Sequence, residues 1–264
     1  MGSAVIDAAH VLTDTVETAL SGYSERPTSG IGSAFRLAWT NRIPTDQADG
    51  TLVLPDGAAD IVWMDGELVV AGPDRFAKRE WTVPGSTIFG LRFARGAGST
   101  WLGVEMRDLV GLRVPLADIV GRRRANELAE PLRAIDDATL LSAAMERAFQ
   151  GMADPGAARF ATTVIGVLNQ APIDAAVIPS AMQVTGLSER TLRRRCEQIF
   201  GYGPRTLARV LRLQRLLGLL RTDPKLTLAT AAAVVGFADQ SHMTREVRSL
   251  TTLAPTTLSS LVAR

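Results

Sequence analysis

Residues 186–204, with the sequence GLSERTLRRRCEQIFGYGP, decide the fold of the C-terminal third of this 264-residue chain. Residues 236–255, GFADQSHMTREVRSLTTLAP, repeat the pattern at an offset of 51 residues, which aligns Pro204 with Pro255. In each copy a glycine stands between two segments with helical patterning. A tight turn between two helices is the signature of a helix-turn-helix motif. The sequence therefore predicts two such motifs in tandem.

The second helix of each copy divides into an apolar stripe and a polar face. Ser188 and Asp239 are residue types that cap helix N-termini, so each second helix should begin directly after them. Apolar residues recur at i, i+4 and i+7, which predicts a buried stripe. The two stripes are Leu192, Cys196 and Ile199, and Met243, Val247 and Leu250.

Polar residues occupy the opposite faces of the same two helices. Side chains near the N-terminal end of such a helix reach base edges in the major groove. The first helix exposes Arg190, Arg193, Arg194 and Glu197. The second exposes Ser241, Thr244, Arg245 and Arg248, and Gln240 projects from its first turn. These faces are the candidate DNA-reading surfaces.

Positive charge is concentrated in the same region. Residues 1–120 carry 10 basic and 15 acidic side chains, whereas residues 178–264 carry 13 basic and 5 acidic ones. Nearly all of these cations are arginine, whose planar guanidinium suits phosphate and guanine edges. A basic third beside an acidic remainder indicates a polyanion as partner, and a solvated basic face is the alternative.

One long helix is predicted between the two copies, over residues 204–221. Four arginines recur along it at i, i+4, i+7 and i+10, namely Arg205, Arg209, Arg212 and Arg215. They form one predicted basic edge, which either touches DNA phosphates or is a solvated face over a leucine-rich stripe.

The N-terminal region has short strand-like runs separated by turn residues. Asp65-Gly66 lies between the apolar runs 60–64 and 67–70, which is a strong hairpin signal. Strands of this length and spacing predict an antiparallel barrel or sandwich. Four aromatic residues form the candidate effector pocket, with core packing as the alternative: Trp39, Trp63, Trp81 and Phe93.

The composition changes after residue 120, and helices are predicted over residues 124–133 and 137–152. We expect an α+β chain with a β-rich domain (1–120), a helical linker (121–155) and an all-α domain that carries the candidate DNA-reading surfaces (156–264). The 137–152 helix has an apolar stripe without an evident partner, which favours a homodimer. The alternative is that this stripe packs on the N-terminal strands.

Several classes of protein are disfavoured by composition. One cysteine cannot form an internal disulfide, and one cysteine with two distant histidines, His10 and His242, does not suit a zinc site. Cys196 lies on an apolar stripe, where a thiol is generally inert. The N-terminal residues lack the features of a signal peptide, and no apolar run is long enough to span a bilayer. We therefore expect a cytoplasmic protein without a cofactor or a catalytic metal.

The two quoted stretches resemble the paired helix-turn-helix domain of AraC/XylS-type transcription regulators, over about residues 157–261. The resemblance implies that both second helices enter successive major-groove segments of double-stranded DNA. It assigns base contacts to Arg190, Arg193 and Arg194 in the first copy and to Gln240, Ser241 and Arg245 in the second. Met243, Val247 and Thr252 depart from the family pattern, so the second copy is expected to act mainly through phosphate contacts.

Residues 30–120 are similar to cupin-like sensor domains that precede this DNA-binding domain in some regulators. The similarity rests on residues 53–57 (VLPDG), 60–63 (DIVW), 70–73 (VAGP) and 90–93 (GLRF). It implies effector binding, dimerisation or both, and it allows contact with RNA polymerase. An enzymatic N-terminal domain, of cupin or alkyl-transfer type, is the alternative, and a protein-binding adaptor is a third reading. Metal-dependent cupin chemistry needs clustered histidines, and only His10 lies in this region.

Overall fold

A computed structural model describes residues 22–28, 34–46, 50–135, 138–149, 155–170 and 177–262, and the statements below refer to these residues. His10 and the N-terminal residues considered for a signal peptide lie outside them. So do the end of the predicted 137–152 helix and its first residue. Within the described ranges, no helix is both long enough and apolar enough to cross a bilayer.

Eight strands form two antiparallel sheets. The strands are β1 (Tyr23–Pro27), β2 (Phe35–Arg42), β3 (Thr51–Val53), β4 (Asp60–Met64), β5 (Glu67–Ala71), β6 (Lys78–Glu80), β7 (Thr87–Phe93) and β8 (Arg113–Pro115). Six of them form a sheet in the order β1-β2-β7-β4-β5-β8, while β3 pairs only with β6. Asp65 and Gly66 both have positive φ angles, of 51° and 78°. This is the type I′ geometry that Asp-Gly favours, so the predicted hairpin between β4 and β5 is confirmed.

The two faces of the six-stranded sheet have different coverings. Four helices come after β7 in the chain, with β8 between the first and the second: α1 (Gly98–Leu102), α2 (Leu116–Val120), α3 (Arg122–Arg133) and α4 (Ala138–Ala148). They pack on one face around a core that includes Ile61, Val70, Phe93 and Leu132. The β3–β6 sheet covers the other face.

The apolar stripe of α4 belongs to this core. Ala144, Met145 and Phe149 are buried, and α4 packs on β2 and β7. The stripe therefore has a partner inside the chain, as in the alternative considered above. The argument that drew a homodimer from this stripe does not hold, because the N-terminal strands cover it.

The C-terminal region is helical throughout. Its helices are α5 (Pro155–Gln170), α6 (Val177–Thr185), α7 (Glu189–Phe200), α8 (Pro204–Thr222), α9 (Leu228–Val235), α10 (Gln240–Thr251) and α11 (Pro255–Val262). Helices α6 and α7 form one helix-turn-helix unit, α9 and α10 form the other, and α8 joins them. The α+β class and the pair of units around a long helix are confirmed.

The β-rich and helical regions share packed surfaces. Leu54, directly after β3, is 5% exposed and belongs to the apolar cluster of α8, α9, α10 and α11. The Gln214 side chain on α8 donates a hydrogen bond to the Pro55 carbonyl at 2.8 Å. A Cβ added to Gly201 would lie 2.8 Å from Pro73 Cγ and 2.7 Å from a Val110 methyl. Gly201 therefore allows the end of α7 to lie close against the β-rich region.

Candidate DNA-binding surface and candidate effector pocket

The first helix-turn-helix unit is built as its sequence predicts. Gly186 ends α6 with φ of 67°, a conformation that glycine adopts without a steric cost. The Ser188 hydroxyl accepts a hydrogen bond from the Thr191 backbone N–H at 3.3 Å, so the predicted N-cap is confirmed. Leu192 and Cys196 are fully buried on the stripe.

The second unit repeats this construction. Gly236 ends α9 with φ of 88°, and Asp239 Oδ1 accepts a hydrogen bond from the His242 N–H at 2.6 Å. Met243 and Val247 are buried in the predicted stripe. Both second helices are thus capped at the N-terminus and packed along one side, so the opposite sides are free to face a ligand.

The polar face of α7 presents three exposed arginines, which are Arg190, Arg193 and Arg194. Arg193 Nε donates to Glu197 Oε1 at 2.9 Å, and this hydrogen bond raises the pKa of the Arg193 guanidinium. Among the described residues, no ion pair engages Arg190 or Arg194. In the first unit, Arg190 and Arg194 therefore have guanidinium groups without an ion pair among the described residues, whereas that of Arg193 is held by Glu197.

The polar face of α10 offers shorter side chains. Gln240, Ser241 and Arg245 are all exposed, and Arg245 forms no ion pair with any described residue. The structure places these three residues on one helix and the three arginines of the first unit on another.

Glu246 faces the protein interior and anchors α10 on α8. It accepts from Arg209 Nε at 2.9 Å, and its carboxylate lies 3.8 Å from Arg212 Nη1. His242 Nε2 lies 3.5 Å from the same carboxylate, and the His242 ring meets Phe237 edge-on. Glu246 therefore holds α10 in a fixed position on α8, and His242 lies beside this contact.

The prediction of a basic edge along α8 is wrong for three of its four arginines. Arg212 is 4% exposed and lies over the Phe237 ring, and Arg209 is tied to Glu246. Arg215 donates to the Asn169 carbonyl of α5, so Arg205 is the one fully exposed arginine of the four. The spacing of residues along α8 could not reveal this, because α5, α9, α10 and α11 surround the helix.

Cys196 is inaccessible and weakly acidic. The side chain is fully buried between α7 and its neighbours, and burial raises the pKa of the thiol to about 12. A thiol in this state is a poor nucleophile and a poor metal ligand. The predicted burial of Cys196 on the apolar stripe is confirmed, and its lack of reactivity stays a prediction.

A cavity of about 400 Å³ lies between the β3–β6 sheet and the facing side of the six-stranded sheet. Trp39 and Trp81 line it. Trp63 and Phe93 lie on the opposite face, in the core under the helices. Successive strand residues point to opposite faces, so Trp63 is separated from its cavity-lining neighbours Val62 and Met64. The structure thus brings together two of the four predicted pocket aromatics.

The indole of Trp39 is held in a fixed position on the cavity wall. It covers Gly90 of β7, where an added Cβ would lie 2.1 Å from the indole. Trp39 Nε1 donates to Asp60 Oδ2 at 3.2 Å, and Asp60 accepts from Arg92 at 3.0 and 3.1 Å. The glycine makes room for the ring, and the buried ion pair orients it.

Sequence reasoning missed the remaining polar residues of the cavity, among them Asn41, Thr82 and Arg113. Asn41 follows Trp39 by two residues, so strand alternation carried outward from Trp39 would have found it. Thr82 and Arg113 come from segments whose placement depends on long-range sheet pairing, which the sequence pattern does not specify.

Residues 182–260 match the family model of the helix-turn-helix domain. No curated protein sequence matches the chain. Among solved structures, ToxT from Vibrio cholerae O395 is 11% identical, with a TM-score of 0.47, covering 91% of this chain and 98% of that one. Wild-type ToxT from Vibrio cholerae strain SCE256 with a bound unsaturated fatty acid is 12% identical, with a TM-score of 0.40, covering 92% and 95%.

The family match coincides with the two capped units. Its limits, 182 and 260, enclose α7, α8, α9 and α10 together with the last four residues of α6 and most of α11. Residues 182–260 are therefore a helix-turn-helix domain of the AraC type.

Proposed function

We propose that the chain is a transcription regulator and that it recognises a specific DNA sequence through base contacts from α7 and α10. The observation that carries the proposal is that each helix has one face packed in the core and one exposed face. Leu192 and Met243 are buried, while Arg194 and Arg245 are exposed and have no ion-pair partner among the described residues. An uncommitted guanidinium can donate two hydrogen bonds to the O6 and N7 atoms of guanine.

The two helices make unequal contributions in this proposal. Arg190 and Arg194 give α7 two long side chains that can reach base edges. On α10, Gln240 and Ser241 are shorter, and Glu246 is engaged in anchoring the helix. We assign most of the sequence discrimination to α7 and mainly positioning contacts with phosphate to α10.

The cavity beside β3–β6 is the proposed effector site. It is concave, it lies within the volume range of small-molecule pockets, and it carries two indole rings. Of the four aromatic residues predicted from the sequence, Trp39 and Trp81 are the proposed ligand contacts. Trp63 and Phe93 support the wall from behind.

We also propose that the regulator acts in the cytoplasm as a homodimer, that it contacts RNA polymerase at its promoters and that it catalyses no reaction. The buried thiol of Cys196, with its raised pKa, argues against alkyl transfer to this residue. Sedimentation velocity of the full chain with a duplex tests the dimer, since one protomer per site would contradict it.

Selection of duplexes from a random library with the full chain tests the DNA-reading proposal. We expect an enriched sequence with two protected segments about one helical turn apart on one face of the duplex. Hydroxyl-radical footprinting of the enriched duplex locates the segments. Failure to enrich any sequence would overturn the proposal.

A further inference from the structure

The lining of the proposed effector cavity indicates which class of molecule it takes. Most of its surface is apolar, formed by side chains from the large sheet and by the β3–β6 cover. The apolar contacts include Val62, Met64, Val69, Ile88, Leu52 and Val53, besides the two indoles. A ligand that fills this space must itself be largely apolar, because polar groups facing these walls would lose their hydration without compensation.

The charged groups at the cavity are already paired. Asp60 forms two hydrogen bonds with Arg92, which is itself almost completely buried. Arg113 Nη2 lies 2.8 Å from both Asp74 and Glu80, and Lys78 Nζ lies 2.7 Å from Glu80. A charged ligand would therefore enter a low-dielectric space in which each lining charge has a counterion of its own.

Two polar side chains on the wall, Asn41 and Thr82, have no hydrogen-bond partner among the described residues, and Thr82 Oγ1 is itself buried. Asn41 is 5% exposed, lies on the same face of β2 as Trp39 and lines the cavity. Its side-chain amide has no hydrogen-bond partner among the residues that the structure describes. Buried amides are normally paired, so this group calls for a partner that enters from the cavity.

We propose that the cavity binds an uncharged, largely apolar molecule that carries one hydrogen-bonding group, and that this group pairs with the Asn41 amide. The inference rests on the proposed effector role and names its ligand class. The apolar body lies against Trp39 and Trp81, and the polar group lies over β2.

Isothermal titration calorimetry with the full chain and three biphenyls of similar shape tests this class. The probes are 4-phenylphenol, biphenyl-4-carboxylate and 4-methylbiphenyl at neutral pH, where only the carboxylate is charged. We expect 4-phenylphenol to bind about tenfold or more tightly than the carboxylate. Asn41→Ala should weaken 4-phenylphenol roughly threefold to tenfold, the usual effect of one neutral hydrogen bond, and leave 4-methylbiphenyl unchanged.

Three outcomes would overturn the proposal. Tighter binding of the carboxylate would show that the site takes anions. Equal loss of both neutral probes in Asn41→Ala would show that Asn41 only supports the fold, and Leu140→Ala, a change on the exposed surface of α4, is the matched control. Absence of binding by every probe would remove the effector role itself, whereas the DNA selection described above would be unaffected.

A different set of contacts links the cavity cover to the second helix-turn-helix unit. Strands β3 and β6 pair in a sheet of their own, and side chains of β6 bond to the region of β8, where Lys78 Nζ donates to the Gly111 carbonyl at 3.1 Å. Leu52 and Val53 line the cavity, while Leu52 and Leu54 pack on the cluster of α8–α11. The Ala77 backbone N–H, next to β6, donates to the Leu250 carbonyl in the last turn of α10 at 2.7 Å.

We infer that the β3–β6 sheet transmits occupancy of the cavity to α10. A ligand that shifts the cover shifts residues that are packed on the second unit, while α7 contacts the region around Met106–Leu109 instead. Effector binding should therefore alter the seating of the second reading helix more than that of the first.

Native-state hydrogen exchange of the full chain, with and without 4-phenylphenol, measures this directly. We expect the amides of residues 77 and 243–252 to change in exchange rate by threefold or more, and those of residues 191–201 to remain within twofold. A change confined to the cavity strands would overturn the inference, and so would equal changes in both units.

Discussion

At the scale of single residues, the exposed arginines of α7 differ in what holds them. Arg193 is bonded to Glu197, whereas Arg194 has no ion-pair partner among the described residues. A bidentate contact between arginine and guanine contributes roughly 1–3 kcal/mol of discrimination. Arg194 is therefore the side chain of α7 most ready to make such a contact.

Replacement of Arg194 by alanine should weaken binding to the selected duplex by about tenfold or more, and binding to random duplex much less. Fluorescence anisotropy with both duplexes measures the two losses. Arg147→Ala, an exposed arginine on α4, removes the same charge far from the reading helices and serves as the control. Equal losses on the two duplexes would show that Arg194 contacts only phosphate.

The thiol of Cys196 should not react in the folded protein. Full burial and a pKa raised to about 12 leave almost no thiolate at neutral pH. Labelling with a disulfide reagent should stay negligible from about pH 7 to about pH 9 and become complete in guanidinium chloride. Rapid labelling of the native protein would contradict the burial described here.

At the scale of elements, α7 and α10 end alike but with different residues. Gly201 and Thr252 occupy the same position after each helix, and both have left-handed backbones, with φ of 84° and 62°. Glycine adopts this conformation freely, whereas a β-branched side chain is strained in it. Thr252 is thus a point of local strain at the end of the second reading helix.

Replacement of Thr252 by glycine should raise the free energy of unfolding by about 1 kcal/mol, because the left-handed strain is removed. Urea denaturation followed by circular dichroism measures the change. Thr244→Gly, inside α10, is the matched control and should lower stability by several tenths of a kcal/mol. A destabilised Thr252→Gly would mean that the threonine hydroxyl contributes more than its backbone costs.

Sequence patterns predicted features whose causes are local. The caps Ser188 and Asp239 and the Asp65-Gly66 hairpin follow from the chemistry of a few adjacent residues. Arg212 is buried because neighbouring helices surround α8, and no pattern within one helix contains that information. Trp63 was predicted beside Trp39 because both are aromatic, although strand alternation and register send them to opposite faces of one sheet.

At the scale of the whole molecule, the β-rich and helical regions share packed cores. Leu54 lies in the cluster of the second helix-turn-helix unit, and Gly201 lies against Pro73. Because these contacts are lost when either region unfolds, the two regions should unfold together.

Differential scanning calorimetry of the full chain should therefore show one cooperative transition. Leu54→Ala should shift that transition as a whole and cost about 2–5 kcal/mol, the range for a large buried side chain. Leu140→Ala, at a side chain that is 61% exposed, should stay within about 0.5 kcal/mol of the original. Two separate transitions would show that the shared contacts are too weak to couple the regions.

Glu246 separates the contacts that hold α10 in place from the residues that we propose to contact DNA. The carboxylate, Arg209 and Arg212 hold α10 from behind, and none of them belongs to the set that we propose to face the DNA. Gln240, Ser241 and Arg245 can therefore be exchanged without moving the helix. With the contacts proposed above, selection, natural or in the laboratory, can change how α10 grips its DNA while the orientation of the helix is inherited intact.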